Sequence, residues 1–248
     1  MTRTMQLFCA ALLVVASVAP VRAVSPFVAE LAGFFTRYHE DPPRLDVIRA
    51  GLEEAVKTDP DVPNLLALAQ ACFIWGDIRA TTEEQKLQSY DCGRQAAQRA
   101  VELEPKNVWA HLWFAINTGR WGQTKGVLRS LFLIPTVKRE IDTVLELDPN
   151  LPPAYSLAGN VYYEVPGPLG GSLQTAERMF RKGLELDARF TSLRIGLAKV
   201  LIKQGRVAEA RQELQRVLDE RHPENLADWT MKDSTRARAL LDTLNKSS

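Results

Sequence analysis

The side chains able to do chemistry are few and scattered. The three histidines, His39, His111 and His222, lie far apart, and no two have the spacing of a shared metal site. His-x3-His, His-Glu-x2-His and Gly-x-Ser-x-Gly do not occur. The glycine-rich stretch Gly167–Gly171 lacks the Lys and Ser/Thr with which a phosphate loop closes on its nucleotide, so it reads as a turn between helices. The paired carboxylates Glu53-Glu54 and Glu83-Glu84 are adjacent in sequence. On a helix such neighbours point about 100° apart and do not face each other. They read as solvated helix ends. Nothing in this set activates a nucleophile, and we expect no catalytic residue, no metal and no cofactor.

The cysteines need a compartment before they can be read. Arg3, the apolar run Leu7–Ala19 and the small residues flanking Arg22 in Val21-Arg22-Ala23 make residues 1–23 a secretory signal peptide, with cleavage expected after Ala23. A membrane-spanning helix needs roughly 20 apolar residues, and this run is shorter. A membrane role is expected only if the segment stays uncleaved. Phe8, where a lipoprotein signal wants a small residue, argues against lipidation of Cys9. The mature chain, 24–248, is then expected to be exported, periplasmic or its equivalent, with Cys72 and Cys92 as an even pair where disulfides are permitted. Without a His nearby, two cysteines fall short of the four ligands of a zinc site. Two readings stay open. The pair flanks a turn near Thr82 symmetrically, which would set both at one height on an antiparallel helix pair and allow a disulfide. Each also sits one residue before an inward-facing position, Phe73 and Gly93, at the edge of the helix interface. That register favours two buried thiols.

Composition sets the outer bounds. The chain has 248 residues, 46% of them hydrophobic, with 31 Lys and Arg against 30 Asp and Glu. This is the balance of a globular protein. Near-neutral charge argues against nucleic acid, whose binding is driven by counterion release from a basic surface.

Organisation comes from internal self-similarity. Amphipathic stretches of near-3.6 period end alike at Thr58-Asp59-Pro60, Leu103-Glu104-Pro105, Leu147-Asp148-Pro149 and Leu186-Asp187-Ala188, with a looser copy at Arg221-His222-Pro223. Proline disfavours helical geometry in the residue before it and is tolerated in the first turn of the next helix, so each ending closes one helix and opens another. From Leu151 onward, Tyr155, Ala158-Gly159, Tyr162, Ala176, Phe180 and Gly183 fall at the signature positions of the tetratricopeptide repeat, which the chain therefore resembles. The following copy runs Leu197-Ala198, Leu201, Gly205, Ala210, Leu214 and Val217. The fold this implies is all-α: a right-handed α-solenoid with helix pairs at roughly 26–60, 63–105, 107–149, 152–188 and 191–223 and a capping helix at 231–245. The intervals between endings shorten along the chain, and only the last approaches the family period of about 34. The surplus is expected in extended loops near Arg79–Ser89, Gly119–Pro135 and Pro166–Ser172.

A further order of features, from Gly119-Arg120-Trp121-Gly122 through Tyr162-Tyr163 to the Pro166–Ser172 loop and the helix with Ala176 and Phe180, looks like the T component of TRAP transporters. It is also similar to the repeat domain of the regulator-of-microtubule-dynamics proteins. The overlap covers roughly residues 43–220.

In such a solenoid the first helix of each pair lines the concave side. Threading the pattern places Ala71, Ile74 and Trp75 there, then Trp109, Leu112, Ile116 and Arg120, then Ser156, Asn160, Tyr163 and Glu164, then Ile195, Lys199 and Lys203. Lys199 and Lys203 with Asn160 partly resemble the clamp by which some tetratricopeptide repeats grip a peptide carboxylate, although Ala71 and Ile116 stand at its other expected positions. The stripe, aromatic at one end and charged at the other, predicts a groove for a peptide or partner protein. The insertion residues Leu128, Leu131, Phe132 and Ile134 need burial and are expected to fold over it, so a second reading stays open in which they bury Trp75, Trp109 and Tyr163 as core. The functional expectation is a non-catalytic, exported interaction scaffold. The T-component resemblance implies an alternative, a ligand-binding accessory subunit of a TRAP-type transporter that contacts its solute-binding protein.

Overall fold

The computed structural model describes residues 24–246; the signal-peptide reading of residues 1–23 and Cys9 lies outside them. Ten helices form five antiparallel pairs: α1 (Pro26–Phe34) with α2 (Arg44–Thr58), α3 (Val62–Ile78) with α4 (Glu83–Leu103), α5 (Val108–Lys125) with α6 (Val127–Leu147), α7 (Pro152–Glu164) with α8 (Leu173–Leu186), and α9 (Thr191–Lys203) with α10 (Val207–Asp219). A closing stretch follows: α11 (Leu226–Asp228), a π-helical segment (Trp229–Asp233) and α12 (Ser234–Lys246). No strand occurs among the described residues. The chain is an all-α solenoid of tetratricopeptide type.

Local chemistry explains the boundaries. Asp59, Glu104, Asp148 and Asp187 are the residues at which α2, α4, α6 and α8 stop, as the repeated endings predict. Asp61, Asn107 and Ser172 open α3, α5 and α8 by accepting a backbone N–H from the first turn. Thr82 opens α4 with a reciprocal pair, its hydroxyl accepting from Gln85 N and the Gln85 side chain accepting from Thr82 N.

The extra residues of the long repeats go mostly into helix. α4 starts at Glu83, so only a short turn separates it from α3. α5 runs to Lys125 and α6 starts at Val127, with Gly126 alone between them at φ 110°, a conformation that a side chain would strain. α6 continues through Pro135. The third extension, Pro166–Ser172, is irregular apart from a 3-10 turn at Gly167–Leu169. The expectation that Gly119–Pro135 folds back over the groove is corrected. Leu128 and Phe132 are 75% and 78% exposed on a projecting helical tip, while Leu131 and Ile134 are half-buried. A helix extended at its free end carries its apolar side chains outward with it and cannot turn them back onto the stack.

Two cores carry the solenoid. One joins α1 to α5 around Leu31, Leu45, Leu52, Leu65, Leu68 and Trp113, and the other joins α8 to α12 around Phe180, Leu193, Leu197, Leu201 and Leu214. Smaller clusters around Leu112 and Val144, and around Ala115 and Ile141, bridge them. Ala227, near the far end of the chain, belongs to the first core and not the second. The closing stretch therefore reaches back across the molecule.

Candidate functional site

The inner face is built around Asp77, at the C-terminal end of α3. Its side chain is 6% exposed. It accepts from Arg120 of α5 and, at 2.7 Å, from the Tyr90 hydroxyl of α4. Lys232 Nζ of the π-helical segment stands 3.6 Å from its other oxygen. Burial pushes the Asp77 carboxyl up, but the charges of Arg120 and Lys232 and the two hydrogen bonds outweigh it, leaving it below the usual carboxylate range. Phe73, one turn before Asp77, has the Arg120 guanidinium 6.0 Å and the Lys232 ammonium 5.8 Å from its ring centre, and its ring lies 5.7 Å from that of Trp113.

The closing stretch clasps the first pair across this site. Ala227 N donates to Thr36 O at 3.0 Å, and Asn225 Nδ2 donates to Phe35 O at 3.3 Å. The Tyr38 hydroxyl donates to Asp228, which also pairs with Lys232 at 2.5 Å. Burial and the neighbouring Asp228 charge raise the Tyr38 hydroxyl far above its ordinary value, so it stays a donor. The first pair and the closing stretch are thus fastened to each other, and Lys232 of that stretch also reaches Asp77 and Phe73 of α3.

Asp233 terminates this segment. It is buried and accepts from Thr191 Oγ1 at 2.8 Å, and burial together with the Asp228 charge, against the Thr191 hydrogen bond, pushes its carboxyl up to about 6. The folded chain therefore holds a proton between about pH 4 and pH 6 that the unfolded chain releases, and stability falls as pH rises through that window. Asp233→Asn keeps an acceptor for Thr191 without the charge. It should raise the unfolding free energy at pH 8 by about 2–3 kcal/mol and give no gain below pH 4. Denaturant midpoints at the two pH values check this.

The residues expected to line the groove are placed as follows. Arg120 is at the centre of the cluster. Asn160 and Tyr163 are half-buried on α7; Asn160 Nδ2 donates to Ser156 O, and Lys203 Nζ lies 3.7 Å over the Tyr163 ring. Lys199 is half-buried and Lys203 exposed on α9. Trp109 is 45% exposed at the start of α5. Four positions are corrected to core: Ala71, Ile74, Leu112 and Ile195 are all buried between helices. Ile116 is also packed against the cores. Trp75 turns away from the groove, donating from Nε1 to Asp46 of α2 at 2.6 Å with the Arg49 guanidinium 4.1 Å over its ring.

Phe73 and Asp77 belong to the inner face by a register that differs from the one the sequence predicts. A Cβ on Gly76 would meet the Tyr90 ring at 2.5 Å, and one on Gly159 would meet the Phe180 ring at 2.5 Å. These two glycines are therefore the same position of the repeat. Aligned on them, Phe73 and Asp77 correspond to Ser156 and Asn160. Gly76 is the signal in the sequence that sets this register, against the one that places Ala71 on the concave side.

The histidines do not converge. His111 is buried, with Nδ1 2.6 Å from Glu140 Oε2 and Nε2 2.9 Å from Pro105 O, and it ties α5 to α6. His39 and His222 lie on other elements, in the α1–α2 turn and after α10.

A second surface stands apart from the inner face. At the α5–α6 tip, Val127, Leu128 and Phe132 are 76%, 75% and 78% exposed. Beside them the Trp121 ring is surrounded by three cations, Arg94, Arg129 and Lys125, at 5.5, 5.7 and 6.0 Å from its centre. Arg94 is paired with Asp91. The tip is an apolar knuckle with a cationic collar.

A family model described as "Regulator of microtubule dynamics protein 1-3" matches residues 44–167, half of the chain, and a tetratricopeptide-repeat model matches residues 170–229. Among curated relatives, regulator of microtubule dynamics protein 3 of Rattus norvegicus is 26% identical over 166 residues, 57% of this chain and 35% of that protein. The Bos taurus protein 3 is 27% identical over 171 residues, 59% and 36%. The chain thus spans about a third of the length of these relatives. Among solved structures, a thermophilic tetratricopeptide-repeat protein of Thermus thermophilus superposes with a TM-score of 0.63 at 19% identity, covering 88% of this chain and 97% of that one. PilF of Pseudomonas aeruginosa gives 0.51 at 14%, covering 89% of each.

Proposed function

Because the chain belongs to the regulator of microtubule dynamics protein 1-3 family, with a solenoid of tetratricopeptide type, we propose that it is a non-catalytic interaction scaffold, exported after loss of residues 1–23, that holds a partner protein at the α5–α6 tip. The observation that carries this is the exposure of Val127, Leu128 and Phe132 together. Large apolar side chains clustered in solvent mark interfaces. The collar of Arg94, Lys125 and Arg129 gives the partner its chemistry: apolar anchors flanked by acidic residues. Residues 225–233 lie against the first pair and against Asp77 and Phe73 of α3, which supports the tip over the groove that the sequence favours. The transporter-accessory reading has less support. The hollow under Tyr162, between α6, α7 and α8, measures only about 70 Å³, and the larger one of about 510 Å³, between the end of α10 and the closing stretch, is lined by Asp219, Glu220 and Arg221 beside Leu218 and Trp229, unlike the mostly apolar lining of small-molecule sites.

The test is capture from the exported fraction with tagged chain. Leu128→Asp/Phe132→Asp should reduce recovery of the partner at least tenfold while leaving the helical circular dichroism unchanged, since both side chains lie in solvent. Lys199→Glu/Lys203→Glu should leave recovery intact. The reverse pattern would place the partner on the inner face instead.

A further inference from the structure

Cys72 of α3 and Cys92 of α4 have their Sγ atoms 2.6 Å apart, closer than two non-bonded sulfurs rest. Both are thiols in the structure. Their surroundings differ. Cys72 is fully buried, and its backbone carbonyl accepts from Ser89 Oγ at 2.7 Å. Cys92 is half-buried and faces α2, where its Sγ stands 4.0 Å from Glu53 Oε1. Glu53 is paired at 3.0 Å with Arg49, whose Nη1 donates to Ser89 Oγ at 3.3 Å and whose guanidinium lies over Trp75. The sulfur pair thus has a buried end and an end reached from solvent past the half-exposed Glu53 and Arg49.

We propose that Cys72 and Cys92 are a dithiol–disulfide couple that pins α3 to α4, with Cys92 as the sulfur that meets the external oxidant and Cys72 as the resolving sulfur. The oxidant is a small disulfide, R–S–S–R. The Cys92 thiolate attacks one of its sulfurs, the R–S–S–R bond breaks, and the departing RS⁻ takes up the proton that Cys92 released. Cys72 then attacks the Cys92 sulfur of the mixed disulfide. The second RS⁻ leaves with the Cys72 proton. Two protein thiols are oxidised and one disulfide is reduced to two RSH. Burial and the Glu53 carboxylate oppose negative charge on Cys72, and the Arg49 guanidinium paired with Glu53 favours it.

A metal is the competing reading, because Glu53, Cys72 and Cys92 could offer three ligand atoms within 4.8 Å of one another. Two thiolates bound tetrahedrally to zinc at about 2.3 Å each cannot approach as closely as these sulfurs do.

The experiment uses the full chain, with Cys9 followed separately by peptide mass. Protein equilibrated with oxidised or reduced glutathione is quenched by alkylation. The expected result is reversible protection of both Cys72 and Cys92 in oxidised glutathione, with a mass loss of two hydrogens and a melting temperature higher by about 5–10 °C, as closing a loop of this size gives. Cys72→Ser should accumulate the glutathione adduct on Cys92. Cys92→Ser should accumulate little, because Cys72 is out of reach. Both variants are checked for native circular dichroism. Full alkylation of both thiols after oxidised glutathione overturns the proposal. Adduct formation on Cys72 in Cys92→Ser would overturn the assigned roles. Protection of the thiols by zinc alone, with no mass loss, would replace the couple with a metal site.

Discussion

Removing residues 225–248 should lower the melting temperature by about 10–20 °C and leave a chain that self-associates on a sizing column. The closing stretch covers the second core with Ala237, Leu240, Leu241 and Leu244, and Trp229 Nε1 donates to Val217 O at 2.7 Å. It also carries Ala227 into the first core. A buried aliphatic or aromatic side chain contributes roughly 1.5–3 kcal/mol, so losing this set costs about 5 kcal/mol, a large part of the ~5–15 kcal/mol total of a typical domain. At ~2–4 °C per kcal/mol for a domain of this size, the expected drop follows. An exposed terminal face of a solenoid also promotes association. Two smaller changes separate cap from clasp. Tyr38→Phe/Asp228→Asn removes one of the three hydrogen bonds that fasten the closing stretch to the first pair and leaves α12 in place, so it should cost only about 1–2 kcal/mol. If the truncated chain melted and eluted like the intact one, neither role would stand.

The second large effect is expected at Phe180. This ring is fully buried where α7, α8 and α9 meet, and it fills the space left by two glycines. A Cβ on Gly159 would lie 2.5 Å from the ring, and one on Gly196 would lie 2.3 Å from it. Phe180→Ala should cost about 3–5 kcal/mol, because packed helices cannot collapse into the cavity. Gly196→Ala should also destabilise, by about 1–3 kcal/mol, although alanine is the better helix former, because overpacking against a ring held on three sides outweighs propensity. Phe180→Leu combined with Gly196→Ala should cost less than the sum of the separate changes, since the smaller side chain makes room for the new methyl. Urea denaturation with an unchanged slope measures these variants and Phe180→Leu alone. Additive losses would show that the two positions do not share one space.

The sequence by itself determined the helices, their pairing and their endings. Pro60, Pro105 and Pro149 stop helices through local sterics, Asp61, Asn107 and Ser172 start them by capping, and the 3.6 period assigns most core positions. All of these act within a few residues and leave a mark in the string of letters. Arg120 was legible as a residue beside the closing stretch, and Asn160 and Tyr163 are half-buried on α7. Trp75, Leu112 and Ile195 were misplaced by a fraction of a helical turn. At about 100° per residue, that is enough to exchange groove for core.

Only the tertiary structure decided where the closing stretch goes. The contacts of Asn225, Ala227 and Asp228 with Phe35, Thr36 and Tyr38 join residues at opposite ends of the chain, and the curvature that brings those ends together is the summed rotation of five packed pairs. No short window encodes that sum. The same holds for Asp77, which reads as an ordinary helix-end acid until α4, α5 and the π-helical segment bring Tyr90, Arg120 and Lys232 to it. Leu128 and Phe132 show the converse. Their hydrophobicity argues for burial in any local reading, and they are exposed because a helix about two turns longer than its neighbour α7 extends beyond anything that could cover it.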